Sequence, residues 1–513
     1  MKRSYGSFVT GALILTASGI LSRIMGFFYR IFLSNVIGEE GMGIYQLSSS
    51  VAMLCLSFCA MGFQTSISRF VASAGDDKSA RTRYLTAGIG LSLALSVPTA
   101  AFVYVFSEEI ACCFLMERQC QSLLQLIALS IPFASLHSCM CGYYLGCKKA
   151  SIPALSQLVE QAFRVGSVWI LWKILTSHGE SITAFHAMVG TLISEFGNIL
   201  FLGLVWFLSD PKPETSSQTG GSNSAPGLLF CVRQIFFLTL PLTANRLVIS
   251  FLQSVEGAMI PGQLRLGGME SSQALGTYGV LTGMVMPFLL FPSALSGSAA
   301  LMLLPSIASA QSRHDDTHIQ KASDQNIQFC LWLGIFSWGA FLLYGKDIGN
   351  AVFHSPLAGH FMETLSWLCP FLYLTPTMGS ILNGLGQTKT VFFHNLWGLL
   401  LRLLAVFLLI PSMGIKGYLL GLLGSQLLTC GFHFWTLHKT AGISFFPWRY
   451  IGIPFLLTAA TGLIGKGVYI LSQNRTSLPP MLCILIGLGT MGLLFLWPAA
   501  ASFISEPASR QKH

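Results

Sequence analysis

Long apolar segments follow one another along the whole chain, with short polar stretches between them. We count fourteen, each close to or above the roughly 20 residues that a helix needs to cross a bilayer. They lie at 7–37, 41–73, 83–106, 121–147, 152–176, 182–208, 229–258, 276–310, 324–350, 358–385, 389–411, 415–438, 449–472 and 479–504. Only 10% of the residues are charged, against about 25% in soluble domains. The sequence therefore predicts an all-α polytopic membrane protein with fourteen transmembrane helices.

Positive charges are distributed unequally between the two sides of these segments. With a cytoplasmic N-terminus, fifteen Lys and Arg residues fall in inner segments and five in outer ones. Because Lys and Arg concentrate in cytoplasmic loops, the imbalance predicts that both termini are cytoplasmic. The net charge of +9 comes without an exposed basic stripe interleaved with aromatic residues, so we expect no nucleic-acid partner.

Part of the chain repeats itself at an offset of 238 residues. Pro132-Phe133, Gly146 and Arg164 recur as Pro370-Phe371, Gly384 and Arg402. Two repeated halves of parallel orientation are a transporter architecture, with the substrate site between them near the midplane. We therefore expect two six-helix lobes and two extra C-terminal helices. The predicted boundaries are 1–208 for the N-lobe, 209–228 for a cytoplasmic linker rich in Ser, Gly and Pro, 229–440 for the C-lobe, and 441–513 for the extra spans and tail.

Two arginines, Arg23 and Arg30, lie inside the first apolar segment. A spacing of seven residues places them on nearly the same helix face, about 10 Å apart along the axis. An arginine at bilayer depth costs at least about 2.5–3.5 kcal/mol, and this segment has no acid to offset it. The alternatives are snorkelling, an acid such as Glu39 or Glu40, or an external anion. We favour an anion, because the planar guanidinium holds phosphate oxygens bidentately.

Two further arginines are candidates for the same anion-binding cavity. Arg69 lies near the inner end of the second segment, where it can equally be an ordinary cytoplasmic-side charge. Arg246 lies near the middle of the seventh segment, where it can instead pair with an acid on another helix. The predicted pyrophosphate cavity is thus lined by Arg23, Arg30, Arg69 and Arg246.

Four other ionisable residues inside apolar segments are assigned further roles. Glu160 and Arg164 are four residues apart and can form a structural ion pair on one helix face. Glu195 and Glu256 are candidate ion-coupling residues, because intramembrane acids commonly mark ion paths.

The second segment carries a polar stripe of Ser and Gln. Its members are Gln46, Ser50, Ser57, Gln64 and Ser68. Such a stripe faces a water-filled cavity or forms hydrogen bonds between helices.

Motifs for catalysis, metals and nucleotides are missing from the sequence. The His-x-x-x-His spacing of His314 and His318 is a weak signal on its own and lies in a predicted cytoplasmic loop, and the thirteen cysteines include no C-x-x-C pair, so we expect no metal site. The glycine-rich stretch ending at Lys466 lacks the Walker spacing and its Ser or Thr. We expect no enzyme and no cofactor, with transport driven by membrane potential or an ion gradient.

Several stretches together resemble one family. They are SGILSRIMGFFYRIFLSNVIGEEGMGIYQL, GYYLGCKKASIPALSQLVEQAFRV, YGVLTGMVMPFLLFPSALSGSAALMLLPSIASA and LNGLGQTKT. In order and spacing they resemble bacterial oligosaccharidyl-lipid flippases of the MOP exporter superfamily, most of all stage V sporulation protein B and the polysaccharide-biosynthesis proteins related to lipid II flippases. The likeness extends over essentially the whole chain.

The resemblance implies a V-shaped, two-lobed carrier in the bacterial cytoplasmic membrane. Such carriers move undecaprenyl-pyrophosphate-linked oligosaccharide or peptidoglycan precursor from the inner to the outer leaflet, and Arg23 and Arg30 look like their pyrophosphate-binding arginines. The implied partners are an anionic lipid-linked glycan, membrane lipids, and cell-wall or glycan synthases. A cation-coupled multidrug exporter of the same superfamily and a non-transporting envelope-assembly protein remain the alternatives.

Overall fold

The computed structural model describes residues 2–75, 77–209, 227–443, 447–475 and 478–504. Most of the predicted linker, 210–226, and the predicted tail beyond residue 504 lie outside the described residues. The chain divides into two compact units, Met1–Gly279 and Val280–His513. The described residues of both units form helices joined by short connections.

The described part of the first unit consists of nine α-helices and a π-helical segment at Ile110–Phe114. The α-helices are α1 (Lys2–Cys59), α2 (Met61–Ser73), α3 (Lys78–Val105), α4 (Ser107–Glu109), α5 (Cys120–Gly146), α6 (Ser151–Ser177), α7 (Ala184–Ser209), α8 (Leu228–Leu266) and α9 (Ser271–Gly279).

Helix α1 contains a kink at Gly38 that separates its two apolar halves. Gly38 has φ 73° and ψ −176°, a conformation that is open to glycine and strained for other residues. The helix resumes directly after it, so the first and second predicted segments are joined without a loop. The second segment ends in α2, which follows a further break at Ala60.

Helix α8 packs along α1 and α2 through small and hydroxyl-bearing residues, which we call the hydroxyl seam. The seam bonds are Ser254 Oγ to the Ser50 carbonyl at 2.7 Å, Ser250 Oγ to Ser57 Oγ at 2.7 Å, and Thr239 Oγ1 to Ser66 Oγ at 2.8 Å. In the same register Gly62 faces Thr243. Ser50 and Ser57 of the predicted polar stripe therefore contact another helix.

Helix α9 approaches α1 closely at two glycines. A Cβ at Gly43 would overlap the carbonyl oxygen of Leu275, and one at Gly279 would overlap the carbonyl oxygen of Glu39. Glycine is therefore required here for backbone-to-backbone packing.

The described part of the second unit consists of ten α-helices, π-helical segments at Val280–Val285 and Trp448–Gly452, and a 3-10 turn at Ser366–Leu368. The α-helices are α10 (Met286–Leu290), α11 (Ser293–Ser312), α12 (Asp316–Phe353), α13 (Pro356–Leu365), α14 (Cys369–Gly384), α15 (Thr388–Leu408), α16 (Ile410–Met413), α17 (Ile415–Ala441), α18 (Ile453–Arg475) and α19 (Pro480–Ile504).

Helix α12 is the centre of the second unit, since it packs against α11, α13, α14, α18 and α19. Its Asp347 forms an ion pair with Lys466 of α18, with a separation of 2.6 Å between Oδ2 and Nζ. The same ammonium lies 4.9 Å and 4.5 Å from the ring centroids of Tyr344 and Tyr469. The extra helix α18 is thus fixed to α12 by a charged contact.

Eleven helices within the described residues are long and apolar enough to cross a membrane, or twelve if the bent pair in α8 forms one span. This count differs from the fourteen spans expected from the sequence. The count treats Ala17–Ser73, which continues through Gly38, as one candidate span, and it does not include α6 or α17. It also divides the predicted eighth span into Ser271–Leu290 and Ser293–Ser312.

The boundary between the units also differs in position from the predicted linker. Helix α8 follows the linker in sequence, yet it packs against α1, α2 and α3 within the first unit. The compact units and the sequence repeat divide the chain at different places, and the predicted lobe boundaries stay a prediction.

Candidate functional site

A cluster of ionisable and phenolic side chains lies within the membrane-spanning part of the first unit. Its members are Tyr29, Arg30, Tyr45, Glu160, Arg164 and Glu195, contributed by α1, α6 and α7, and each interacts electrostatically with others of the set. We call it the first-unit polar cluster. It brings together one predicted cavity arginine, the predicted ion pair and one predicted coupling acid.

The two arginines of the cluster have different partners. Arg164 Nη2 donates a hydrogen bond to Glu160 Oε1 across one helical turn. Arg30 makes no hydrogen bond or ion pair with any described residue, and the side chains that act on it electrostatically are Tyr45, Arg164 and Tyr29, none of which is a carboxylate. Two neighbouring guanidinium groups, of which one lacks a counter-charge, make a site that favours an anion.

Close packing of α6 on α1 and α7 sets the position of the cluster. Gly26 leaves room on α1 for Gln161, whose Oε1 would lie 3.7 Å from a Cβ there. Phe32 and Trp172 pack edge to face, with ring centroids 5.6 Å apart. On α7, Gly197 accepts the ring of Phe163, which a Cβ would meet at 2.7 Å.

Several buried polar atoms of this region have no hydrogen-bond partner among the described residues. They are Tyr29 Oη, Gln161 Oε1, Arg164 Nε and Glu195 Oε2. Buried polar groups are nearly always paired with protein or water. Four unpaired atoms in one region therefore indicate a place where water or a polar ligand binds.

A chain of hydrogen bonds extends from Glu160 across α7 to α5. Asn198 Nδ2 donates to Glu160 Oε2 at 3.5 Å, and Asn198 Oδ1 accepts from Ser156 Oγ at 3.1 Å. His137 Nε2 lies 2.7 Å from Ser156 Oγ. The Glu160 carboxylate is thus held from two sides, by Arg164 and by Asn198.

The other three arginines predicted from the sequence form no hydrogen bond with the described residues of this cluster. Arg23 and Arg69 are exposed on α1 and α2, and neither bonds to a described residue. Arg246 is exposed on α8, and its Nη1 makes a long 3.5 Å contact with the Met61 carbonyl. No hydrogen bond or ion pair within the described chain joins these three to Arg30.

The two predicted coupling acids are both buried. Glu195 of α7 is 9% exposed and Glu256 of α8 is 4% exposed. Glu195 belongs to the polar cluster, whereas Glu256 lies beside the hydroxyl seam, two residues after Ser254. The structure thus separates these two acids into different surroundings.

Sequence reasoning missed Tyr29, Tyr45, His137 and Asn198. Tyr45 Oη contacts Thr191 Oγ1 at 3.4 Å, and the other three are described above. Each lies in an apolar segment without a spacing that indicates a partner, and only the packing of the helices assembles them. For the described residues, no group of three or more His, Cys, Asp or Glu could hold a metal ion.

Comparison with known proteins identifies the family. The profile described as "Polysaccharide biosynthesis protein" matches residues 8–311, which include the whole polar cluster. The chain belongs to the polysaccharide biosynthesis protein family.

Two curated relatives of this chain come from Bacillus subtilis (strain 168). Stage V sporulation protein B is 24% identical over 470 residues, covering 90% of this chain and 89% of the relative. Lipid II flippase MurJ is 23% identical over 460 residues, covering 85% and 83%. The present chain therefore corresponds to these relatives over most of their length.

Solved structures establish the fold. The lipid II flippase MurJ in an inward closed conformation matches with a TM-score of 0.69 at 15% identity, covering 96% of this chain and all of that chain. An inward-facing multidrug resistance MATE transporter of the MOP superfamily matches with a TM-score of 0.63 at 14% identity, covering 84% and 99%. The family member described here is a multi-pass membrane protein with the fold of MOP-superfamily transporters, which is not that of an enzyme family, and it is related to polysaccharide and lipid II flippases.

Proposed function

We propose that this protein is a flippase for lipid-linked saccharides that carry a pyrophosphate. The single observation that carries the proposal is the position of Arg30, which lies in the first-unit polar cluster near Arg164 and makes no ion pair with a described carboxylate. An intramembrane arginine without an acid needs an external anion or water. The name of one relative, lipid II flippase MurJ, suggests the class of anion.

In this proposal Arg30 holds the pyrophosphate, and Arg23, Arg69 and Arg246 provide further positive charge along the path of the headgroup. The isoprenoid tail stays in the hydrocarbon phase. Glu195 and Glu256 are the candidates for coupling transport to a proton or sodium gradient. The chain crosses the bacterial cytoplasmic membrane fourteen times, with both termini in the cytoplasm and α6 and α17 among the crossings.

Two features support counting α6 and α17 as spans. Each has 27 residues, and at 1.5 Å per residue that is about 40 Å, enough for the hydrocarbon core. Helix α6 is less apolar because it carries Glu160, Arg164 and Lys173. The first two of these form the ion pair of the first-unit polar cluster, which accounts for the lower hydropathy.

A reconstituted translocation assay tests the proposal. Purified protein in liposomes is given a fluorescent lipid-linked saccharide pyrophosphate, and movement between leaflets is followed by chemical quenching of the outer leaflet. We expect translocation by the wild type and a loss of at least about tenfold in Arg30→Ala, since one charge-assisted contact contributes about 1.5–3 kcal/mol. Lys173→Ala is the matched control, because this exposed cation on α6 lies over Trp169 at 5.4 Å.

The competing functions are separated in the same liposomes. A multidrug exporter would move a cationic dye such as ethidium, and a non-transporting assembly protein would move neither compound. Full saccharide translocation by both Arg23→Ala and Arg30→Ala would overturn the proposed role of these arginines.

A further inference from the structure

The ion pair between Arg164 and Glu160 leaves part of the arginine unused. Glu160 accepts from one Nη atom of Arg164, while Arg164 Nε is buried and has no hydrogen-bond partner among the described residues. A guanidinium has five N–H donors arranged as a fork, and a pyrophosphate can accept several of them at once. Glu160 therefore satisfies this arginine less fully than a bound anion would.

Glu160 has a second support that does not depend on Arg164. Its other oxygen, Oε2, accepts from Asn198, and Asn198 is anchored by Ser156, which in turn contacts His137. A buried carboxylate that loses its only partner is strongly destabilised. Here the carboxylate keeps a hydrogen bond when Arg164 turns away, so the cost of separating the pair is reduced.

The surroundings of Arg164 already hold donors for an anion. Within the part of the chain that the structure describes, Arg30 is a cation of the cluster that makes no ion pair with a carboxylate, and Tyr29 Oη is buried without a hydrogen-bond partner. These groups come from α1, whereas Arg164 comes from α6. An anion between them would be bound by both helices.

We propose that Arg164 is a second substrate-binding arginine, which exchanges Glu160 for the pyrophosphate bound at Arg30, while Asn198 retains Glu160. Glu160 is thus an internal competitor of the substrate. This inference rests on the proposed function, because it assumes that Arg30 binds a pyrophosphate.

If Glu160 competes with the substrate for Arg164, removing either residue's charge should change the affinity for pyrophosphate in opposite directions. Glu160→Gln frees Arg164 and should tighten pyrophosphate binding, whereas Arg164→Gln should weaken it about tenfold, the loss of one charge-assisted contact. A pair that is only structural would give lower stability in both variants and no opposite change in affinity.

Glu195→Gln is the matched control for charge. It replaces the other acid of the same cluster, and Glu195 does not bond to Arg164 in the described structure. If loss of either cluster acid has the same effect, both glutamine variants bind equally tightly; if Arg164 changes partner, Glu160→Gln binds more tightly. Arg402→Gln, the repeat counterpart of Arg164 in the second unit, should bind like the wild type.

The experiment titrates the purified full-length protein in detergent with farnesyl pyrophosphate and, separately, with inorganic pyrophosphate, by calorimetry. The shared chemistry is the pyrophosphate, and tighter binding of the farnesyl compound identifies a lipid-linked ligand. We expect the order Glu160→Gln, Glu195→Gln, wild type, Arg164→Gln from tightest to weakest. Equal affinity of the two glutamate variants, or unchanged affinity in Glu160→Gln, overturns the inference.

The inference and the proposed function fail in different ways. If the wild type binds neither compound, or Arg30→Gln binds as well as the wild type, the proposed function fails. If binding depends on Arg30 but Glu160→Gln does not exceed Glu195→Gln, only the exchange at Arg164 fails. The two glutamate variants keep this test valid even if Arg164→Gln does not fold.

Discussion

Lys466 Nζ lies 2.6 Å from Asp347 Oδ2 and also donates to the Leu343 carbonyl at 2.9 Å. The ammonium therefore joins α18 to α12 through a carboxylate, a backbone oxygen and two aromatic faces. Both side chains are about one-third exposed or less, at 27% and 32%. Removing one partner leaves the other charge partly buried without its counter-ion.

We predict that Asp347→Ala lowers the stability of the second unit by about 1–3 kcal/mol, the penalty for an unsatisfied buried polar group. The double variant Asp347→Ala/Lys466→Met should be more stable than this single variant, because it leaves no charge unpaired. Thermal unfolding of the purified protein in detergent measures both. A double variant less stable than Asp347→Ala would show that the charges are not the source of the effect.

Gly279→Ala should disrupt the packing of α9 on α1. A Cβ at this position overlaps the Glu39 carbonyl and the Gly43 backbone, neither of which can move as a side chain can. We expect a lower unfolding temperature. Gly90→Ala within α3 is the control, since nothing lies within 4 Å of its Cβ and alanine is up to about 1 kcal/mol more favourable than glycine in a helix. Equal effects of the two substitutions would contradict the close approach.

Arg30→Ala should reduce binding of farnesyl pyrophosphate more than Arg23→Ala does. Arg30 lies within the polar cluster beside Arg164, whereas Arg23 is exposed two turns away on α1. We expect about a tenfold or greater loss for Arg30 and a smaller one for Arg23 that shrinks as salt is added, because exposed charges are screened. Calorimetry at low and high salt measures the difference. An equal loss of affinity in both variants would contradict this difference and indicate that both arginines bind the pyrophosphate directly.

Cys112 and Cys113 provide a test of orientation. They are the exposed cysteines among those described, and they lie in the π-helical segment after α3. A cytoplasmic N-terminus puts this segment on the outer side. A membrane-impermeant maleimide added to intact cells should therefore label the wild type and fail to label Cys112→Ser/Cys113→Ser. Labelling of the wild type only after permeabilisation would indicate that this segment is cytoplasmic, which is the opposite of the predicted orientation.

Asp315 makes the start of α12 sensitive to pH. Hydrogen bonds from Thr317 Oγ1 at 2.8 Å and from the His318 amide at 3.0 Å hold the pKa of this exposed carboxyl below its ordinary value. A lowered pKa means that the stabilisation is present above the unfolded-state pKa and is lost as the pH falls through the folded-state pKa. We expect faster amide exchange at the start of α12 in Asp315→Ala than in Asp315→Asn at pH 7, because asparagine still caps the helix. Equal exchange would show that the cap does not hold this turn.

The sequence predicted the helical class and most helix positions, because apolar runs of sufficient length have few other ways to fold in a bilayer. It also predicted that Glu160 and Arg164 can meet, since a spacing of four fixes their separation on any helix. It did not predict the continuity of α1 through Gly38, because a glycine between two apolar runs reads as a turn. The bond from Asn198 to Glu160 and the contact of Tyr45 with Thr191 each join residues far apart in sequence. Such contacts depend on which helices pack together, and the apolar pattern of a single helix carries no such information.

The hydroxyl seam has a consequence for how freely its helices can separate. Two helices that interdigitate through leucines or aromatic rings are costly to separate, because any movement opens a cavity. Glycine, serine and threonine are small and interdigitate little. Their hydroxyl groups can exchange each partner for a water molecule at little net enthalpy. At the hydroxyl seam, separating α8 from α1 and α2 therefore costs less free energy than separating interlocked side chains, because water that enters the seam can replace each hydrogen bond.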